Sequence, residues 1–237
     1  MKSGRFPVQP LAENDIGFHH ELASMSAPNQ SSILKLAVSA GALSPQLATL
    51  LAMQRAEEPE TVVLLQEVAS GDLIHGLGRG DYDVGMFVAT APTDRALNTQ
   101  PLWGDELALA LPLRSPLLAH AAVPLDALLH YPLVWWCLRA CEALSQQVDA
   151  LFGPEEHSAQ EVTSFELMAV LVASGYGVGI APRSHIVQAR GWGVAMRALG
   201  NGPYLIRTQL LQSSRGSAPA VERFAERAAK VTATEPA

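Results

Sequence analysis

The chain has 237 residues, of which 49% are hydrophobic and 16% are charged, so it can bury the core of one large domain or two small ones. Its formal net charge is −7 and its 16 basic residues form no run, which excludes a nucleic-acid surface built on clustered Lys and Arg. The first residues lack a charged-then-apolar signal pattern, and no segment has about 18 successive apolar residues, so we expect a soluble, cytoplasmic protein with no membrane partner.

Residues 1–32 are interpreted as an N-terminal tail or linker remnant, because they carry three prolines and little hydrophobic periodicity. The folded part then opens with three apolar segments typical of strands, at 34–38, 61–65 and 83–88. Between them, Ser44–Pro45 and Ser70 mark the starts of two helices. Strands that alternate with helices predict a parallel sheet with right-handed crossovers.

The second half begins with an alternating segment at 106–113, interpreted as a long connecting strand. Next come a short helix at 123–129, a buried strand at 133–136 and a helix at 140–151 that a glycine closes. Two cysteines, Cys137 and Cys141, lie in this stretch without a nearby histidine. We therefore expect reduced thiols, with no structural metal and no cofactor.

The stretch Thr163–Pro182 combines a helix start, a glycine-marked stop and a short strand at 178–181. Thr163 and Glu166 have the spacing of a capping box, and Gly175 suits the left-handed position that follows a helix. The residues predicted to share one helical face are Leu167, Val170, Leu171 and Ser174.

Glycines recur at every second position from Gly175 to Gly179. A strand rather than a helix follows them, so they are interpreted as structural and not as a dinucleotide-binding fingerprint. A late strand at 204–212 and a terminal helix at 219–230 complete the pattern. Because no strand follows the terminal helix, it is predicted to pack back on the first half.

The two halves repeat one α/β plan, which predicts an α/β fold of two lobes, each a mostly parallel sheet flanked by helices. Lobe I is predicted to comprise residues 33–98 and 205–237, and lobe II residues 99–204. Two extended crossing strands would join them and form a hinge. Ligands of open parallel sheets sit at the carboxyl ends of the strands, so the predicted site is the cleft between the lobes.

Several landmarks follow one another in an order similar to that of the effector-binding domain of LysR-type transcriptional regulators. They extend from about Leu34 to Val231 and read LKLAVSAGALSPQL, LLQEVASGDLIHGLGRGDYDVGMFV, PLWGDELALALPLRSPLL, PLVWW, TSFELMAVLVASGYGVGIAP and SAPAVERFAERA. The chain departs from the family at 115–117, where Ser-Pro-Leu stands in place of the usual His-Pro-Leu. The family's N-terminal winged helix-turn-helix is not expected here, because residues 1–30 are too short, too acidic and too rich in proline.

The resemblance implies a periplasmic-binding-protein-like fold and a sensor of a small-molecule effector rather than an enzyme. It also implies a homodimer or tetramer, with DNA bound only through the helix-turn-helix module. The family places its effector in the cleft, against the loops that follow the strands. Matched position by position, those loops give the candidate ligand-binding residues Ser39, Ala40, Gly41, Ser70, Val88, Leu138, Arg139, Thr163, Ser164 and Phe165.

The chemistry of these positions favours an anionic or carboxylate-bearing effector. Helices that start near Ser44, Ser70 and Thr163 would direct unpaired N–H groups at the strand ends and attract anions. Arg139 is the basic residue on these loops, and its guanidinium would hold a carboxylate in a bidentate pair.

Each of these residues also has a structural interpretation. Ser70 and Thr163 would serve as helix caps, and Arg139 would be a solvated surface residue.

An apolar wall suited to an aromatic acid would come from Trp135, Trp136 and Phe165. Alternation along a strand sends the two tryptophans to opposite faces, so at least one of them is expected in the core.

Two other functions fit the same scaffold. A solute-binding protein of a transporter would need export from the cell. A dehydratase-type lyase would need a positioned acid–base pair, and neither G-x-S-x-G nor H-E-x-x-H occurs in the sequence.

Overall fold

The computed structural model describes residues 32–89, 98–136, 142–153, 159–213 and 218–234; residues 1–31 and both cysteines lie outside these ranges. The strands are β1 Ile33–Val38, β2 Val62–Glu67, β3 Val84–Ala89, β4 Asn98–Pro112, β5 Ala122–Val123, β6 Leu133–Trp136, β7 Ala159–Val162, β8 Val178–Pro182, β9 Val194–Leu199 and β10 Leu205–Gln212. The helices are α1 Pro45–Glu57, α2 Ser70–Arg79, α3 Leu125–Leu128, α4 Glu142–Phe152, α5 Phe165–Ala173, α6 Arg183–Gln188 and α7 Pro219–Ala233.

These strands join one sheet whose main path runs β2-β1-β3-β10-β4-β8-β6-β7. β1 pairs in parallel with β2 and β3, and β6 pairs in parallel with β7 and β8, as the alternation of helices and strands predicts. Between the two parallel groups, β10 is antiparallel to both β3 and β4. β4 runs on past β10 and pairs with β8 and β9, so both halves of the sheet share it.

Burial does not follow apolar composition alone. β3 is buried along its whole length because it lies between β1 and β10. β2 begins with four apolar residues but forms the edge of the sheet, and its residues Val62, Leu64 and Leu65 are each about half exposed. Position in the sheet therefore decides which apolar strands reach the core.

The predicted start of α1 is confirmed. The Oγ of Ser44 accepts a hydrogen bond from the backbone N–H of Leu47 at 3.3 Å, and Pro45 occupies the first helical position. Ser70, in contrast, is not a cap, because it is the first residue within α2 and Ala69 stands at the cap position.

The predicted capping box at the start of α5 is wrong by one residue. Ser164, not Thr163, is the N-cap, and its Oγ accepts from the N–H of Leu167 at 3.2 Å. Neighbouring serine and threonine compete for the cap position, and their spacing to Glu166 does not decide between them. The stop of α5 is as predicted, because Gly175 has a left-handed φ of +83°.

The buried face of α5 also differs from the predicted one. Leu167 and Val170 are about half exposed, whereas the residues that reach the core are Phe165, Met168, Ala169 and Val172. The helix is apolar on nearly every side, so hydrophobic periodicity could not select the face that packs on the sheet.

A charged cluster ties α7 to α1, in agreement with the predicted packing of the terminal helix on the first half. Arg227, only 5% exposed, donates to the carboxylates of Glu57 and Glu58, each at 2.7 Å, and to Oε1 of Gln54 at 2.8 Å. Arg223 also donates to Glu58. The hydrogen bond from Arg223, supported by Arg227 and opposed by burial, lowers the pKa of Glu58 from 4.5 to about 2.

This shift predicts a loss of stability in acid. The pKa of Glu58 is lower in the folded state, so its stabilising effect is fully present above pH 4.5 and is lost as the pH falls through about 2. We expect the urea midpoint to fall over this window, and to fall less steeply in Glu58→Gln, which cannot ionise. Glu60→Gln, a change at a nearby exposed residue, should keep the wild-type slope. Equal slopes for Glu58→Gln and the wild type would contradict the role of Glu58.

Candidate functional site

A cavity of about 320 Å³, here the central cavity, lies where the carboxyl ends of strands from both halves of the sheet meet. Gly41 and Ser44, from the segment that leads into α1, form one wall together with Val88 near the end of β3. α6, which directly follows β8, forms the opposite wall, and residues of β4 and β10 lie between them. This is the edge at which open α/β sheets bind their ligands.

Asp105 and Arg183 are the charged residues that line the central cavity. The carboxylate of Asp105 accepts from the backbone N–H of Glu106 at 2.7 Å and of Ser184 at 3.2 Å, and the second bond ties the start of α6 to β4. The side chain of Arg183 is 59% exposed, and its one ion pair within the described ranges is a long contact of 3.8 Å with Glu106. A loose, solvated pair of this kind contributes little, so the guanidinium is available to an anion.

Two of the buried polar atoms that have no hydrogen-bond partner within the described ranges belong to residues in or near this cavity. One is Oγ of Ser39, a fully buried residue in the turn that follows β1. The other is the indole N–H of Trp103, a residue of β4 that is 3% exposed and lines the central cavity. A buried polar group left unpaired costs about 1–3 kcal/mol and is rare in native proteins, so both groups indicate a missing partner.

An aromatic cluster lies next to the central cavity. The ring of Trp136, at the end of β6, has its centroid 5.6 Å from that of Phe165, at the start of α5. His185 of α6 completes the cluster, 5.1 Å from Trp136 and 5.3 Å from Phe165. All three side chains are buried, and edge-to-face contacts such as that of Trp136 with Phe165 are favourable for aromatic rings. The cluster holds the starts of α5 and α6 together behind the cavity.

Burial lowers the pKa of His185, while the charges of Asp105 and Glu166 oppose the change. A neutral imidazole is therefore favoured within the cluster. Its Nδ1 lies 3.4 Å from Oγ of Ser184, the residue whose N–H bonds to Asp105. The surroundings of His185 are those of a packing residue with one polar contact rather than of an exposed general base.

The ten candidate residues fall into three groups. Gly41 and Val88 line the central cavity, and Ser39 and Ala40 are buried in the turn just before Gly41. The remaining described residues lie outside the lining: Ser70 is buried at the start of α2, Thr163 is exposed, Ser164 caps α5 and Phe165 belongs to the aromatic cluster. Leu138 and Arg139 lie outside the described residues.

Among the lining residues that sequence reasoning missed are Trp103, Asp105 and Arg183. A signal for Arg183 was present in the sequence. Arg183 directly follows the predicted strand that ends at Pro182, so it lies at the carboxyl end of a strand like the other candidate residues. Asp105 interrupts an apolar segment, which marks a polar position on a connecting strand. For Trp103 the sequence gives no sign, since a tryptophan in a strand is usually a core residue.

Larger cavities also occur among the described residues, two of them with volumes of about 490 and 640 Å³. The first is lined by Arg197, whose guanidinium already donates to the carbonyls of Leu118 and His120. The second lies beside Tyr176 at the start of β8, away from the carboxyl ends of the parallel strands. Volume alone therefore does not identify the site, and the central cavity is preferred for its position and its unpaired polar groups.

Across the residues that the structure describes, no group of three or more His, Cys, Asp or Glu side chains is placed to hold a metal ion. None of the helices in those same ranges combines the length and apolar character needed to cross a bilayer.

Comparison with known proteins gives a consistent result. The model of the LysR substrate binding domain matches residues 29–233. The chain is 24% identical over 177 residues to the HTH-type transcriptional regulator AlsR of Bacillus subtilis (strain 168), covering 73% of the chain and 58% of AlsR. It is 26% identical over 187 residues to the probable cat1 operon transcriptional activator of Acinetobacter lwoffii, covering 76% of the chain and 57% of that protein. The chain thus spans less than two thirds of these relatives.

Solved structures with the same fold include effector-binding and regulatory domains. The BenM effector binding domain with its effector benzoate superposes with a TM-score of 0.75 at 20% identity, covering 86% of this chain and 96% of that one. The reduced form of the OxyR regulatory domain from Pseudomonas aeruginosa gives a TM-score of 0.71 at 21% identity, covering 85% and 97%. The predicted two-lobe, periplasmic-binding-protein-like fold is therefore confirmed.

Proposed function

Because the chain belongs to the LysR substrate-binding domain family, we propose that it is the sensor part of a transcriptional regulator and binds a small carboxylate effector in the central cavity. The observation that carries this proposal is the central cavity itself, which lies at the strand ends between the two halves of the sheet. The unpaired Oγ of Ser39 beside it supports a ligand that completes the hydrogen bonding.

A carboxylate suits the groups around the cavity better than a neutral ligand would. Arg183 offers an exposed guanidinium at one wall, and Arg139, on the sequence pattern, would offer a second. Apolar side chains such as Leu43, Val88 and Ile206 would contact the rest of the ligand. Benzoate, the effector named for the BenM domain, is therefore a reasonable first probe.

The proposed signal is a change in the relative position of two lobes, residues 33–98 with 205–237 and residues 99–204. β4 and β10 would act as the crossing strands between them. A ligand that prefers one cleft geometry shifts the population toward it, and this requires a difference in affinity between the two states. We infer that the response is transmitted through a homodimer or tetramer, in the cytoplasm, to DNA bound by a separate helix-turn-helix module.

We expect Arg183→Ala to weaken binding of the effector about tenfold, which corresponds to about 1.4 kcal/mol. The test is a thermal-shift screen of small carboxylates that includes benzoate, because a ligand that binds the folded state raises the melting temperature. Compounds that bind are then measured by calorimetry against the wild type, Arg183→Ala, Ser39→Ala and Arg139→Ala. Ser39→Ala should also weaken binding, because the ligand loses one hydrogen bond.

Arg190→Ala is the matched control, since Arg190 is exposed just after α6 and does not line the cavity. It should leave the dissociation constant unchanged. A constant that is the same in Arg183→Ala and the wild type would reject Arg183 as an anchor. If no carboxylate binds the wild-type chain, the carboxylate proposal is wrong.

The enzyme alternative has no specific observation in its favour. The matching relatives are transcriptional regulators, and His185, on the helix that forms one wall of the cavity, is buried against two aromatic rings. Asp105, which would be its acidic partner, already accepts two backbone N–H groups. We therefore propose binding without catalysis.

A further inference from the structure

We propose that the indole N–H of Trp103 donates a hydrogen bond to the ligand in the central cavity, and that it selects ligands with a second acceptor besides the carboxylate. This inference rests on the proposed function, because it takes the central cavity as the ligand site.

The first argument is the combination of burial and missing partner. Trp103 is 97% buried, since only 3% of it is exposed, yet its Nε1 has no acceptor in the part of the chain that the structure describes. A strand position that needs only an apolar side chain is filled equally well by Phe or Leu, which bring no donor. The residue also lines the central cavity, so a ligand atom that enters beside the indole ring can supply the acceptor that the protein does not.

The second argument concerns the neighbouring acceptors. Trp103 and Asp105 both belong to β4, and both line the cavity. In the described part of the chain the carboxylate of Asp105 forms no hydrogen bond with the indole, and its oxygens accept from the N–H groups of Glu106 and Ser184. The carboxylate of Asp105 therefore bonds to the start of α6 and not to the indole N–H of Trp103.

The third argument gives the class of ligand. Arg183 lies on α6, whereas Trp103 lies on β4, so the cation and the indole donor belong to different walls. One carboxylate held by Arg183 would leave the indole to a second oxygen of the same molecule. The preferred ligands are therefore acids with an apolar body and a second acceptor, such as hydroxy acids, keto acids or dicarboxylates.

The test uses two matched pairs of probes, benzoate with terephthalate and butyrate with succinate, measured by calorimetry. In the wild-type chain, the second acid of at least one pair should bind about tenfold more tightly than the first. In Trp103→Phe, which keeps an aromatic ring but removes the donor, this advantage should fall to less than about threefold. Trp192→Phe, a change at a half-exposed tryptophan that does not line the cavity, should keep it.

Nuclear magnetic resonance of the ¹⁵N-labelled wild-type chain gives a second measurement if Trp103→Phe fails to fold. The indole N–H signal of Trp103 should move when the preferred acid binds, while that of Trp192 stays in place. Equal affinities within both pairs, or an advantage that Trp103→Phe retains, would overturn the inference. If benzoate or butyrate binds through Arg183 without such an effect, the proposed function stands and only the role of Trp103 is rejected. If none of the four acids binds, the inference is overturned as well.

Discussion

Arg227→Ala is expected to destabilise the protein by about 3–5 kcal/mol, because it removes the one cation buried between α1 and α7. The change leaves Oε1 of buried Gln54 without its donor at 2.8 Å and takes one of two guanidiniums away from Glu58. The measurement is urea denaturation at pH 7, followed by circular dichroism. The loss should appear as a lower midpoint with an unchanged slope.

Arg223→Ala is the matched control for this prediction. Arg223 bonds to the same carboxylate, Glu58, but its side chain is about half exposed. Exposed ion pairs contribute little, so we expect a much smaller loss than in Arg227→Ala. If the two variants lose the same stability, burial is not the reason for the effect, and the role assigned to Arg227 is wrong.

Gly177→Ala is expected to destabilise the protein by roughly 3 kcal/mol, through a steric clash with the backbone. A Cβ at Gly177 would lie 2.3 Å from the carbonyl oxygen of Pro132. That oxygen accepts the N–H of Val178 at 2.9 Å, the hydrogen bond next to the start of the β6–β8 pairing. Neither strand can move away without disturbing this pairing. The measurement is thermal denaturation of the wild type and of Gly177→Ala.

Other glycines of the chain provide contrasts. Gly78 lies in the last turn of α2, and a Cβ added there would have no neighbouring atom within 4 Å. Gly78→Ala should therefore stabilise the protein by about 0.5 kcal/mol. The nearest atoms to a Cβ added at Gly179 belong to the flexible side chain of Met168, so Gly179→Ala should destabilise the protein less than Gly177→Ala does. A loss below 0.5 kcal/mol for Gly177→Ala would show that the strands can move apart at this point.

Much of the fold was predictable because local signals and the sheet agree. The start of α1 at Ser44, the stop of α5 at Gly175 and the strand 133–136 are all found where the sequence places them. The buried face of α5 was not predictable, since that helix is apolar on nearly every side. The exposure of β2 was not predictable either, because it depends on which strand ends the sheet.

The candidate site was predictable only in part. The turn after β1 and the end of β3 were identified, because strand-end loops can be read from the order of elements. The lining residues on β4 were not identified. Which residues of a connecting strand face the cavity depends on how the two halves of the sheet meet. Thr163 was assigned a place in the cleft by matching the family's strand-end loops, and in the structure it is exposed, one residue before the N-cap of α5.

The position of β10 has a consequence for synthesis of the chain. β10 lies between β3 and β4, yet it is the last strand in the described sequence. While a ribosome is making the protein, the inner edge of β3 therefore stays open until residues 205–212 have emerged. An unpaired apolar edge readily pairs with another chain, so the nascent protein should depend on chaperones for longer than its length suggests.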